Sequence, residues 1–263
     1  MKEKIRTLAF IGAGNLAWHL APALDNAGYP VREVYSRNDR NARQLASRLY
    51  QATVKKTPDF DNSDVDAVIL AVGDDAIEHV ASELVLPDSM LVIHTSGSTP
   101  MRVLEVAGTR HIGVFYPLQT FSKGVKVNFE DIPIFVEGSS PAAEQALLAM
   151  GRALSPTVTA ITSDRRLALH VAAVFASNFT NHMMAIAFEL MEDQELDPDW
   201  LKPLIAETLN KGLEAGPEQA QTGPARRGDM RILRQHAEFL RNNPKLREIY
   251  ALISQHILDR YQS

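Results

Sequence analysis

The chain has 263 residues, enough for one large domain or two ordinary ones around a real core. Its 45% hydrophobic and 22% charged residues exclude a disordered chain, and a formal net charge of -5 argues against a general nucleic-acid binder, whose footprint is basic. With 0 cysteines, disulfides, thiolate metal sites and a cysteine nucleophile are excluded.

The start, Met1-Lys2-Glu3-Lys4-Ile5-Arg6, leads into a short apolar run broken at Gly12 and Asn15, and lacks the core of a signal peptide. Apolar runs such as Ala67–Val72 fall far short of the ~20 residues that span a bilayer. A soluble, cytoplasmic protein with neither membrane nor nucleic acid as partner is expected.

Strands are predicted at Thr7–Ile11, Val31–Ser36, Ala52–Val54, Ala67–Val72, Met90–His94, Ile112–Phe115, Ile132–Val136 and Thr157–Ile161. Helical patterns fall between many of them, at Asn15–Ala27, Asp39–Tyr50, Asp75–Leu84, Met101–Ala107 and Ala142–Leu154. Continuous apolar strands suit a sheet covered on both faces, and this alternation reads as α/β, a doubly wound, mostly parallel sheet. After Ile161 no strand is expected. Helical periodicity runs from Ser163, a candidate cap for a helix reaching Glu192, and Asp197-Pro198 opens the next helix. The domains predicted are therefore 1–161, Rossmann-type, and 162–263, all-helical.

The strongest motif is Gly12-Ala13-Gly14-Asn15-Leu16-Ala17, a G-x-G-x-x-A fingerprint between a strand and a helix. Gly12 permits a tight turn, Gly14 lacks the Cβ that would block a pyrophosphate, and Ala17 lets the helix approach the sheet. At the end of the second strand an NAD enzyme carries an acid; here Ser36-Arg37-Asn38 stand in that place. Arg37 suits a ribose 2′-phosphate, with Ser36 and Asn38 as further donors and Arg40 and Arg43 nearby, so NADP is the cofactor expected. Glu33, inside the strand, is the rival that would favour NAD.

Ligands of open α/β sheets bind beyond the carboxyl ends of the strands. Ala71-Val72-Gly73, with Ile77 beyond it, is placed beside the nicotinamide ribose; the alternative is a simple helix start capped by Asp74. His94-Thr95-Ser96-Gly97-Ser98 comes next, with Thr95 on the cofactor side. Ser96 and the Gly97 backbone are expected to hold a substrate carboxylate or carbonyl oxygen. His94 is a second acid candidate, or else a histidine satisfied by backbone.

Reduction of a carbonyl or imine needs a proton donor for the heteroatom. On the first helix of the second domain, α-helical spacing puts His170, Ser177 and Asn181 within about 20° of one another, with Asn178 on the flank. Polar groups cut into an apolar helix should be paired, to one another or to a ligand. His170 and Asn178 are therefore catalytic candidates beside Asn181, and Ser177 a substrate contact. In Thr222–Asp229, Asp229 is expected to cap a helix from Met230, while Arg226 or Arg227 can clamp a substrate carboxylate or tie the loop to a partner subunit. No metal-ligand spacing is apparent.

These residues together resemble the 6-phosphogluconate dehydrogenase-like superfamily, with pyrroline-5-carboxylate reductase and the deazaflavin-dependent NADP reductases as relatives. More closely, the chain resembles a family of NADP oxidoreductases with a helical C-terminal domain of unknown function. The matches are His94–Ser98, Pro117-Leu118-Gln119-Thr120-Phe121, Ser177-Asn178-Phe179 and Thr222–Asp229. The resemblance implies a homodimer through the C-terminal helices. Where that pattern carries a histidine before Pro117 this chain has Tyr116, which puts proton transfer at that position in question. The function expected is NADPH-dependent reduction of a small carboxylate-bearing ketone, a ketopantoate-like 2-keto acid included, or of an imine. The alternatives are an NADP(H)-binding sensor without catalysis and a deazaflavin-dependent NADP reductase.

Overall fold

A computed structural model describes residues 5–262; Met1–Lys4 and Ser263, and with them most of the charged start, lie outside the described residues. The chain divides into two compact units, Met1–Thr180 and Asn181–Ser263.

In the first unit all eight predicted strands form one sheet: β1 (Leu8–Ile11), β2 (Val31–Tyr35), β3 (Thr53–Val54), β4 (Ala67–Leu70), β5 (Leu91–His94), β6 (Ile112–Pro117), β7 (Ile134–Gly138) and β8 (Val158–Ala160). Their spatial order is β3-β2-β1-β4-β5-β6-β7-β8, with every neighbouring pair parallel except β6 and β7. Outward from β1 the order runs both ways, and so creates the switch point at which such sheets bind ligands. β1, β4 and β5 are buried along their whole length because helices cover both faces. One apolar cluster joins Leu8, Phe10, Ile69 and Ile93 to α1 (Asn15–Asn26) and α4 (Pro141–Arg152), and the other joins Ile11, Leu70 and Val92 to α3 (Ile77–Ser82).

Four local expectations need correction. α2 (Asp39–Ala46) stops before Tyr50, and Met101–Ala107 is a 3-10 helix closed by Gly108 at φ 75°. The long helix is capped by Thr162, whose hydroxyl accepts from the Arg165 N–H at 3.4 Å; Ser163 is instead held by Glu137. Nor is a single α register kept. α5 (Ser163–Ala173) passes into a π turn, Val174–Phe179, before α6 (Thr180–Glu192). Thr180 Oγ1 donates to the Phe175 carbonyl, five residues back, at 3.1 Å, as the wider turn allows. The α-helical angle expected between His170 and Asn181 is therefore lost beyond the π turn, whereas Ser177 still shares a cleft with His170. By length and composition the run Ser163–Glu192 could cross a membrane.

The second unit is helical. Asp197 caps a turn at Pro198–Leu201, after which come α7 (Lys202–Ala215), α8 (Pro217–Ala220), α9 (Pro224–Arg227), α10 (Met230–Phe239) and α11 (Pro244–Tyr261). Asp229 caps α10 as expected, accepting from the Ile232 N–H at 3.3 Å.

Candidate functional site

The two glycines of the fingerprint are glycines for different reasons. Gly12 has φ 97°, and a Cβ there would lie 2.2 Å from the Ala71 carbonyl oxygen. The turn after β1 thus packs directly on Ala71 and Val72 after β4, and the fold itself demands this residue. Gly14 has an ordinary φ of -76°, and a Cβ there would meet nothing within 4 Å. Neither backbone nor packing explains it. The space above it opens onto the N-terminus of α1, whose first turn carries no acidic residue. A diphosphate fits that cradle, held by backbone N–H groups of the Gly14–Leu16 turn. Ala13 and Ala17 are buried behind it, while Asn15 is exposed at its mouth.

At the end of β2, Arg37 and Arg40 are exposed and make no ion pair with a described residue, whereas Arg43 is held by Asp39 at 2.7 Å. Asn38 caps α2 by accepting from the Asn41 N–H at 3.2 Å. Glu33 is engaged: its carboxylate accepts from Ser63 Oγ at 2.7 Å and lies 3.5 Å from Lys55 Nζ. No free carboxylate is therefore offered to a ribose 2′-hydroxyl by β2, and the unpaired guanidinium of Arg37 suits a 2′-phosphate.

The turn after β4 presents Gly73 to solvent-accessible space, but Ile77 is 1% exposed inside the core. Thr95 is buried and donates to the Leu70 carbonyl at 3.3 Å. In the turn after β5, Ser96 Oγ accepts from the N–H groups of Ser98 (3.1 Å) and Thr99 (2.9 Å) and donates to Thr99 Oγ1 at 2.9 Å. Its hydroxyl closes its own turn. Ser98 in turn donates to Asp74 at 2.6 Å, linking the two loops. His94 is fully buried; its Nδ1 accepts from the Ser96 N–H at 3.1 Å, and Nε2 has no partner among the described residues. Burial first, then the Arg166 charge, push its pKa down to about 4, against smaller opposing effects of the Pro100 carbonyl and Asp74. The ring is neutral and serves the loop.

A cleft of about 440 Å³ opens beside this turn, lined by Tyr116, Gln119, His170, Ala173, Ser177 and Asn178 among others. Tyr116, near the end of β6, sets its hydroxyl 3.0 Å from His170 Nδ1, with the two rings edge to face. Gly97 backs the pair so closely that a Cβ would fall 2.5 Å from His170 Nδ1 and 2.7 Å from Tyr116 Cζ. His170 Nε2 hydrogen-bonds to no described residue. The cleft thus gathers a histidine with one nitrogen engaged, a hydroxyl and an amide, at the carboxyl end of β6. The helix end holding His170 is anchored by Arg166, 1% exposed, which pairs with Glu137 of β7 and donates to the Thr99 carbonyl at 2.7 Å. Asn181 is exposed and belongs to the second unit, as does Arg227, exposed and without an ion pair among the described residues. Its neighbour Arg226 is engaged, over the Tyr261 ring at 4.7 Å and on the Glu218 carbonyl at 3.0 Å.

Sequence reasoning missed the Tyr116–His170 pair and the Arg166–Glu137 pair. The first joins residues 54 apart in the chain and left no trace in spacing. The second left one: Arg166 stands one helical turn before His170, a charged residue on the face that carries the polar group.

Residues 7–97 match the family described as NADP oxidoreductase coenzyme F420-dependent, and residues 132–257 match a domain of unknown function, DUF2520. Among solved structures, a candidate NADP oxidoreductase from Bacteroides fragilis is 39% identical, with a TM-score of 0.86 over 98% of this chain and 99% of that one. The chain belongs to this NADP oxidoreductase family. NADP is the cofactor that membership assigns to the oxidoreductase, in agreement with the open cradle at Gly14 and the unpaired Arg37. Two more distant structures share the fold of the oxidoreductase. A reductive aminase from Aspergillus terreus, in complex with NADPH and ethyl-5-oxohexanoate, is 14% identical, with a TM-score of 0.70 over 98% of this chain and 96% of that one. A pyrroline-5-carboxylate reductase from Coxiella burnetii is 17% identical, with a TM-score of 0.58 over 98% of each chain. A comparison with curated proteins finds no match.

Proposed function

We propose that this oxidoreductase reduces a small carboxylate-bearing ketone, a 2-keto acid before a cyclic imine, in the cleft beside Gly97. The observation that carries this reading is the hydrogen bond between the Tyr116 hydroxyl and His170 Nδ1 at the wall of a cleft that also holds Ser177 and Asn178. When bound, NADPH supplies hydride. The chain must then supply orientation and a proton. His170 gives the proton from Nε2 to the oxygen or nitrogen of the reduced group, and Ser177 and Asn178 hold the substrate's polar atoms. A cleft of about 440 Å³ lined by Leu118, Leu169, Ala172 and Val174 between these groups suits a small molecule. The sensor alternative rested on Tyr116, whose partnership with His170 removes that motive. The deazaflavin alternative draws on a family match confined to residues 7–97, the NADP half of the chain.

The same reading makes the protein a cytoplasmic homodimer. Trp200, Leu204, Leu213 and Leu252 of the second unit are 62–85% exposed, apolar side chains that a second copy would cover.

The test is a fluorescence titration with NADPH, followed by its oxidation in the presence of 2-keto acids and cyclic imines. Turnover on a keto acid is expected, with Arg37→Asp moving preference toward NADH by more than about tenfold. His170→Gln should leave NADPH binding intact and lower turnover by about 10²–10⁴. Binding with no oxidation by any substrate would restore the sensor; full turnover in the variant would remove His170 from the chemistry.

A further inference from the structure

We propose that Tyr116 and His170 form a proton relay, in which the phenol hydroxyl replaces on Nδ1 the proton that leaves His170 from Nε2. The inference rests on the reading of His170 as donor to the substrate and adds where the proton comes from. Three features of the geometry carry it. The hydroxyl lies 3.0 Å from Nδ1; the opposite nitrogen has no hydrogen-bond partner among the described residues; and Gly97, where no side chain fits, presses both rings into this one arrangement. Tyr116 acts through His170.

The charged and titratable groups around the pair come from several elements. Asp74 follows β4, His94 ends β5, and Arg166 stands one turn before His170 and is neutralised by Glu137 of β7. Burial, and then Asp74, raise the Tyr116 pKa above its ordinary 10.0, with Arg166 opposing. The phenol therefore keeps its proton through the neutral range; in the relay it donates to Nδ1, which places the proton of the neutral imidazole on Nε2. In the reducing direction the carbonyl carbon accepts hydride, its oxygen takes the Nε2 proton and Nδ1 takes the phenol proton; the pair resets when Nδ1 returns that proton to the phenolate and Nε2 takes one from water. NADPH is oxidised and the carbonyl reduced. An alkoxide is basic enough to draw a proton from a phenol. His170 therefore need not enter as imidazolium, and delivery continues above the imidazole range.

Tyr116→Phe keeps the ring and removes the hydroxyl. The first readout needs no substrate: ¹⁵N resonances of neutral His170, assigned by their loss in His170→Gln. Nδ1 should resonate as a hydrogen-bonded acceptor in the parent and as a free nitrogen in Tyr116→Phe. An unchanged Nδ1 overturns the relay whether or not a substrate is known. The second is the pH profile of kcat on the keto acid that the parent turns over. The parent should hold its rate into the tyrosine range, whereas the variant should lose rate steadily as pH rises, about tenfold per pH unit on its basic limb, with KM for NADPH unchanged. A loss equal at every pH overturns the relay and leaves His170 as donor; full activity in His170→Gln overturns the underlying functional reading instead.

Discussion

The turns after β1 and β5 stand at the same end of one sheet and use their polar groups in opposite ways. After β1 the N–H groups above Gly14 face open space, and the glycine answers to no constraint within the chain. After β5, Ser96 and His94 close hydrogen bonds inside the loop, and Gly97 is packed against Tyr116 and His170. The first has the open form a ligand site needs; the second is a bracket closed on itself. Small polar residues at a strand end thus become informative only when it is known whether their hydrogen bonds are already made.

Substitutions along the two turns sharpen this contrast. Gly12→Ala forces a Cβ against the Ala71 carbonyl at positive φ and should cost about 3–5 kcal/mol, seen as a large drop in the urea midpoint. A midpoint near that of the parent would mean that the turn can relax. His94 comes next. Its folded pKa of about 4 lies below the unfolded 6.5, so the unfolded chain binds more protons between those values and stability falls as pH falls through that window. The loss should reach about 3 kcal/mol, and His94→Gln should flatten the slope. An equal slope in the variant would put the acid sensitivity elsewhere. Ser96→Ala, which strands the N–H groups of Ser98 and Thr99, should cost about 1–2 kcal/mol and raise KM less than it lowers stability. The reverse order would return Ser96 to the substrate. Gly14→Ala should leave the urea midpoint within about 0.5 kcal/mol of the parent while weakening NADPH by about tenfold or more. Unchanged affinity would take the diphosphate out of the cradle.

The strands were legible because burial on both faces turns them into unbroken apolar runs, as in Ala67–Leu70. The cradle was legible because glycine spacing is a direct image of backbone geometry. Helix ends were less so: the pattern of Asp39–Tyr50 continues past the residue where α2 stops, and nothing in residues 101–107 separates a 3-10 from an α-helix. The π turn at Val174–Phe179 has no composition of its own, so spacing rules calibrated on 3.6 residues per turn misplace the side chains beyond it. His170 and Asn178 could be picked out as polar residues on an apolar helix, but Tyr116, the partner of His170, came from a strand far along the chain. Pairings of that kind are settled by topology.

The buried guanidinium of Arg166 has a bearing on how such a scaffold diversifies. It roots the base of α5 to β7 through Glu137 and to the Thr99 carbonyl, so His170, one turn onward, inherits its location from a clamp beneath the cleft. Ala172, Ala173 and Ala176, which line the cleft, carry none of that burden. Their side chains are free to drift in size and polarity under selection for new molecules, while His170 stays at its post.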